Sequence, residues 1–237
     1  MTTPTVDDLP NEDPRFYAIQ KRGAGSASIA VTQKYLKTLA SFGLPSNPSL
    51  CLSIANKAHP LSSNADDADL FKNTDQGLRA NDHTPLFDVF EAKIMNIVFS
   101  FTALESFANI SIPDNFKFMH IDRKGGPAIP FDKEMIERNL SLDVKLDKIL
   151  PTIFKVKTPK GTALWQKYKT LKKLRDRLIH LKSQDTKSGG PESKTIWGEL
   201  MKYRDYNFAN DAHQLIGHYF VKTHKPRWFR LYPYPYK

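Results

Sequence analysis

The feature that most narrows the possible folds is a run of apolar residues between 86 and 111. Phe87, Phe90, Ile94, Ile97, Phe101, Leu104 and Ala108 recur at alternating intervals of three and four. An α-helix turns once every ~3.6 residues, so these side chains line up as one seam along a long helix. A seam of that length must be covered by other helices. Pro113 lies just beyond its end.

Weaker versions of the same pattern recur along the chain. Residues 132–140 and 142–154 read as two short helices around a break, with Pro151 limiting the second. Residues 161–184 read as a long helix ended by Ser188-Gly189-Gly190-Pro191, and 195–222 as another, interrupted near Asp205–Asn207. Upstream, Ala30, Val31, Tyr35, Leu36, Leu39 and Ala40 have roughly helical spacing, which predicts a helix within 15–43 stopped by Gly43 and Pro45. Residues 44–85 are polar and broken by Pro45, Pro48, Pro60 and Pro85. They read as a long excursion with a short helix near 49–58. The acidic run Asp66, Asp67 and Asp69 lacks the glycine and terminal glutamate of a calcium loop and reads as solvated. Gly125, Gly126, Pro127 and Pro130 mark a further loop. No internal repeat and no alternating strand pattern stand out. The expected class is all-α, an antiparallel bundle of four to six helices. A disordered tail (1–14) would precede one helical domain (15–222, core 86–222), and a basic aromatic tail (223–237) would follow it.

With 40% apolar residues, 15 of them Phe, the chain can bury a core. Its single cysteine, Cys51, rules out an intrachain disulfide and a cysteine metal cage, which fits a reducing compartment. The N-terminus has no basic start or apolar run, and no stretch of about 18 apolar residues exists anywhere. A cytoplasmic protein without a membrane span is therefore expected. The net charge of +10 is uneven. Residues 1–150 carry 16 Lys/Arg against 19 Asp/Glu, whereas 151–237 carry 19 against 6. Such a basic half fits nucleic acid, or serves only solubility.

Several motifs fail on inspection. Gly23-Ala24-Gly25-Ser26 lacks the third glycine and preceding strand of a dinucleotide turn. The segment from Ser188 to Thr195 ends like a phosphate-binding loop, but serines stand at both anchor positions, 188 and 193, and a helix precedes it. No His-Glu-x-x-His or paired-cysteine motif occurs, and His213 and His218 sit about 140° apart on a helix. No metal and no cofactor are expected.

What remains is Leu174-Arg175-Asp176-Arg177-Leu178-Ile179-His180. On a wheel of about 100° per residue with Arg175 at zero, Leu164, Leu171, Leu174, Leu178 and Leu181 fill an arc from roughly 240° to 340°. Tyr168 and Ile179 flank Arg175 on its other side, at about 20° and 40°. Arg175 thus lies at the edge of the buried stripe. Asp176 and His180 fall at about 100° and 140°, near Lys169 and Lys172. A partly buried Arg offers a fixed fork to phosphate, and a His titrating near neutrality moves protons. Arg175 and His180 do not share one face, so two copies meeting across a twofold would assemble such a site better than one. The plainer reading is an Arg at a bundle edge and a surface His.

In this helical context the chain resembles the HEPN superfamily (higher eukaryotes and prokaryotes nucleotide-binding). Its signature is an Arg, a polar residue, then a His four to six residues after the Arg, on a late helix of a small bundle. Arg175, Asp176 and His180 match it. The stretch from Phe101 to Asn109 is similar to the earlier core helix of that family, with Glu105 and Asn109 at its polar patch, and the resemblance covers roughly 86–222. Family members include prokaryotic toxins, antiphage defence proteins and CRISPR-associated RNases, commonly metal-independent endoribonucleases that act as dimers. The resemblance therefore implies RNA cleavage by a homodimer, with Arg175, His180, Asp176, Glu105 and Asn109 in the catalytic region and an antitoxin or defence-system partner. Toxins controlled by a nucleotidyltransferase antitoxin carry a Tyr two residues after the His. Lys182 stands there, so the resemblance stops short of that control. Asp at position 176 is less usual in the family than Asn or His.

Lys169, Lys172, Lys173, Arg177, Arg227 and Arg230 are the candidate RNA-binding cations. In the final segment, Trp228 and Phe229 are placed either to stack bases or to pack on the bundle. The alternative function is a non-catalytic helical module that binds RNA, nucleotide or a protein of a defence system.

Overall fold

The computed structural model describes residues 13–16, 19–22, 25–28, 30–121, 125–187, 189–190 and 194–234. The expected disordered tail up to residue 12, the Gly23-Ala24 part of the glycine turn, Ser188 and 191–193 of the Ser-Gly-Gly-Pro loop, and 235–237 lie outside them.

The chain is mostly helical, with four antiparallel two-stranded hairpins among the described residues. It opens with β1 (Ile19–Arg22) paired to β2 (Gly25–Ser28) and β3 (Ala30–Tyr35) paired to β4 (Thr38–Gly43). The helix expected within 15–43 is therefore corrected to strands, and the all-α expectation to a helix-dominated fold. The apolar positions counted there sit among Val31, Thr32, Tyr35 and Thr38, β-branched and aromatic residues that suit a pleated strand. Val31 pairs with Phe42 and Tyr35 with Thr38 around a turn whose Leu36 has a positive φ of 54°.

The second correction is larger. The short helix expected near 49–58 within the excursion at 44–85 is present but much longer: it is α1 (Asn47–Ser63), a 17-residue helix that packs along the central helix. Pro48 occupies its first turn, where a missing N–H costs nothing. Pro60 falls inside its last turn. Its buried face is Cys51, Leu52, Ala55 and Ala58 with Ser49, Ser53 and Ser62. Small residues allow close helix approach but give a weak hydropathy signal. Next come α2 (Asp67–Leu70) and the hairpin of β5 (Phe71–Thr74) with β6 (Gly77–Ala80).

The long seam is α3 (His83–Ile110), capped by Asp82, whose side chain accepts from the Thr84 backbone at 2.9 Å. Ile97, Phe101, Leu104, Phe107 and Ala108 are buried at the centre of the main core. Asn96, also buried, stitches three helices together. Its amide donates to the Ala55 carbonyl (2.8 Å) and to Asn207 Oδ1 (3.0 Å), and its oxygen accepts from the Phe208 backbone (3.1 Å).

Strands β7 (Phe118–His120) and β8 (Ile129–Phe131) flank the Gly/Pro loop beside α4 (Lys133–Asn139). The next helical run is α5 (Leu142–Val144), a π-helical turn (Lys145–Ile149) and α6 (Leu150–Phe154). A second small core gathers Ile112, Ile136, Leu140 and Ile149. The remaining helices are α7 (Ala163–Ile179), α8 (Ile196–Lys202), α9 (Phe208–Tyr219) and α10 (Arg227–Arg230). Among the described residues no helix is long and apolar enough to cross a membrane.

The aromatic tail joins the core. Trp228, Phe229 and Tyr234 are buried, so the tail's aromatics take the packing alternative. The His213 ring lies stacked between Phe229 (4.1 Å) and Tyr232 (4.4 Å). Gly217 makes room for this strap, because a Cβ there would stand 3.0 Å from the Phe229 ring.

Candidate functional site

Helix α7 starts at the Thr162 cap and buries Trp165, Tyr168, Leu171 and Leu174. Tyr168 stacks on Phe101 of α3, with centroids 6.4 Å apart. Two turns after Tyr168, Arg175 comes out at the margin of that contact. Its guanidinium carbon lies 4.6 Å from the centre of the Phe101 ring, a cation–π arrangement. Nη1 donates to Asp176 Oδ1 at 3.1 Å, and Nη2 stands 3.9 Å from Glu105 Oε2. The Arg175 side chain is 30% exposed. It is therefore steered by a ring and two carboxylates, yet one side stays open to solvent.

Asn109, one turn beyond Glu105, is engaged elsewhere. It accepts from Nζ of the buried Lys145 at 2.8 Å, and the same ammonium donates to the Glu137 carbonyl at 2.9 Å. Burial pulls the Lys145 pKa down, against the opposing pull of Glu105 and Glu137. The π-helical turn begins at Lys145. The sequence reading passed this residue over. Its signal was a lysine spaced three and four from Leu142 and Ile149, on an otherwise apolar face.

The helix ends sooner than expected, at Ile179 instead of 184. His180 is the C-cap, with φ −122° and ψ 73°, and its backbone N–H donates to the Asp176 carbonyl at 3.0 Å. Its side chain is exposed. Among the described residues no hydrogen bond, ion pair or ring contact joins its ring to Arg175, Asp176, Glu105 or Asn109. The structure thus brings Arg175, Asp176 and Glu105 together, sets Asn109 beside Lys145, and leaves His180 at the open helix end.

The candidate RNA-binding cations divide sharply. Lys169 and Lys172 each place Nζ 3.0 Å from Asp143, which also accepts from the Tyr168 hydroxyl. Burial opposes the charge on Asp143, but these three donors outweigh it and hold the carboxyl below its usual range. Burial, reinforced by that carboxylate, drives the Tyr168 hydroxyl far upward. Arg177 is sealed in, with its guanidinium bound to both oxygens of the buried Asp185 (2.7 and 3.3 Å) and to the Lys194 carbonyl at 2.5 Å. Arg227 donates to the Asp13 carbonyl at 2.9 Å. Lys173 and Arg230 are exposed.

No protein-family model, curated protein or solved structure matches this chain.

Proposed function

We propose that the chain is a HEPN-like endoribonuclease that cleaves RNA without a metal ion, acting as a homodimer. The reading rests on one observation: Arg175 is oriented by Phe101, Glu105 and Asp176 while keeping an open side, and the free imidazole of His180 follows at the exposed end of the same helix. In the reaction, the RNA 2′-hydroxyl attacks the adjacent phosphorus as its proton passes to a neutral His180. The bond to the 5′-oxygen breaks, leaving a 2′,3′-cyclic phosphate, and the departing oxygen takes a proton from the His180 of the second copy and ends as a 5′-hydroxyl. Arg175 balances the charge that develops on the phosphoryl oxygens. The need for a 2′-hydroxyl selects RNA over DNA. A role in antiphage defence or as a toxin fits this chemistry, with an antitoxin or defence-system partner holding it in check.

A non-catalytic RNA-binding module ranks second. It draws on the basic C-terminal half, but Asp143 and Asp185 already engage Lys169, Lys172 and Arg177 there. The deciding experiment incubates purified protein with single-stranded RNA in EDTA. Cleavage with 2′,3′-cyclic phosphate ends is expected, and Arg175→Ala and His180→Ala should each lower the rate by at least ~10²-fold with unchanged far-UV circular dichroism. Salt-sensitive RNA binding without cleavage would replace it with the binding module, and full activity in both variants would overturn the assignment of the chemistry to Arg175 and His180.

A further inference from the structure

Two apolar surfaces of this chain stay open to solvent, and each is the complement of the other. One is the β3–β4 hairpin. Tyr35 (64%), Leu36 (80%), Leu39 (71%) and Phe42 (50%) are exposed on it. A lone two-stranded hairpin is marginal in water, and one that also displays four large apolar side chains gains by having them covered. Its tip is cationic, with Lys34 and Lys37 exposed and no acidic residue from 30 to 43. Strands of six residues reach about 20 Å, enough to cross to another molecule.

The other surface is a groove of about 580 Å³ between the first half of α3 and α8. Phe87, Phe90, Ile94 and Met95 line one wall, and Trp197 lines the other, its ring 5.5 Å from that of Phe90. The rim carries the exposed carboxylate of Glu91, and Asp88, three residues earlier on the same helix, is exposed in the adjoining pocket that Glu91 also lines. Those charges repel a phosphate backbone and attract a cationic apolar tip.

We propose that the β3–β4 hairpin is an arm that seats in this groove on a second copy of the chain. The hairpin tip, Tyr35, Leu36 and Leu39, lies in the groove against Phe87, Ile94 and Met95, beside the touching rings of Phe90 and Trp197, and Lys34 and Lys37 meet Asp88 and Glu91. Exchanged reciprocally, two arms close a twofold pair and leave neither surface bare. The groove wall is fixed for this role, because Trp197 Nε1 donates to the Asp185 carbonyl at 2.8 Å. The inference holds whether or not the chain cleaves RNA.

The test is sedimentation equilibrium on the full chain and on variants altered only at exposed positions. Wild type should dimerise, and Leu39→Asp should weaken the dimer at least tenfold. The arm-reversed protein (Lys34→Glu with Lys37→Glu) and the groove-reversed protein (Asp88→Lys with Glu91→Lys) should each be weakened alone. Mixed one to one they should recover, because both exchanged contacts then pair opposite charges. Cys51 is buried, so thiols introduced as Leu39→Cys in one sample and Phe87→Cys in another report alone, and their mixture should form a disulfide-linked heterodimer. A wild type that stays monomeric, a dimer indifferent to all these changes, or a 39–87 disulfide formed within a single doubly substituted chain would each overturn the proposal.

Discussion

Arg175 and Arg177 stand two residues apart on one helix and lead opposite lives. Arg177 is 13% exposed and held by Asp185, whose own side chain is fully covered. Its Nε and Nη2 are committed to that carboxylate and to the Lys194 carbonyl, and neither can turn to a ligand without breaking that clamp. Arg175 faces Glu105 across 3.9 Å, shares Asp176 with solvent and rests on an aromatic face. A cation clamped by close carboxylate and carbonyl acceptors holds structure together. A cation steered but unsaturated keeps its capacity to bind. Composition alone, which counts both as basic residues of one segment, hides this distinction.

The largest effect expected from this contrast is its reversal between two measurements. Arg177→Met leaves the Asp185 carboxylate covered with only the backbone N–H groups of Lys182 (3.0 Å) and Ile196 (2.7 Å). The melting temperature should fall by roughly 5–10 °C for a chain of this size. Arg175→Met should leave melting within about 2 °C of wild type while removing cleavage or RNA binding. Calorimetry on the pair decides it, and equal melting temperatures would erase the distinction.

The same clamp gives a smaller, pH-dependent effect. Hydrogen bonds from Arg177, ahead of the opposing cost of burial and with help from two backbone N–H groups, hold the Asp185 carboxyl well below its ordinary value of 3.8. A depressed carboxyl contributes stability that is complete above the unfolded value and is lost as pH falls through the folded one. Asp185→Asn should therefore melt below wild type at pH 7 by less than Arg177→Met does, since Asn retains part of the hydrogen bonding. The gap should hold down to about pH 4 and narrow only below it. A gap that already closes between pH 7 and 5 would show that Asp185 does not carry this pair.

Much of this was legible in the sequence, and the failures have physical causes. Helix α3 stood out because its seam is built from Phe, Ile and Leu. Helix α1 was legible only as a short helix near 49–58 and its full length was missed, because its seam is Ser, Ala and Cys and its last turn contains a proline. Arg175 was correctly placed at the edge of the buried stripe, since Tyr168 and Leu171 fix that stripe within a regular helix. His180 was placed by the same wheel, and there the wheel no longer applied. In an unbroken helix Asp185 would stand about 12 Å along the axis from Arg177, too far to pair. The chain instead leaves the helix at His180 and folds Ser183–Asp185 back as a 3₁₀ turn, so that Asp185 meets Arg177 and the backbone of Lys182 and Ile196. A tertiary ion pair, not a local Gly or Pro, ends the helix. Lys145 was overlooked because a lysine counts as surface until its acceptors, Asn109 and the Glu137 carbonyl, are seen.

Lys93 sharpens the contrast from a third side and carries the smallest expected effect. Like Arg177 it is covered, with no exposed surface at all, but its hydrogen bond goes to the neutral Tyr206 carbonyl at 2.8 Å. Burial, only partly offset by Asp205, pulls its pKa down to about 8 from 10.5. Between those two values the unfolded chain holds a proton that the folded chain has released, so stability rises with pH across that window. Other groups titrate there too, and comparison with Lys93→Met isolates this one. Raising the pH from 7.5 to 9.5 should lift the melting temperature of wild type relative to Lys93→Met by about 3 °C. Parallel profiles would mean that the Lys93 ammonium is as well compensated as the Arg177 guanidinium. Enclosure would then suffice to stabilise a cation here, and the direct carboxylate contact that separates Arg177 from Lys93 would lose its significance.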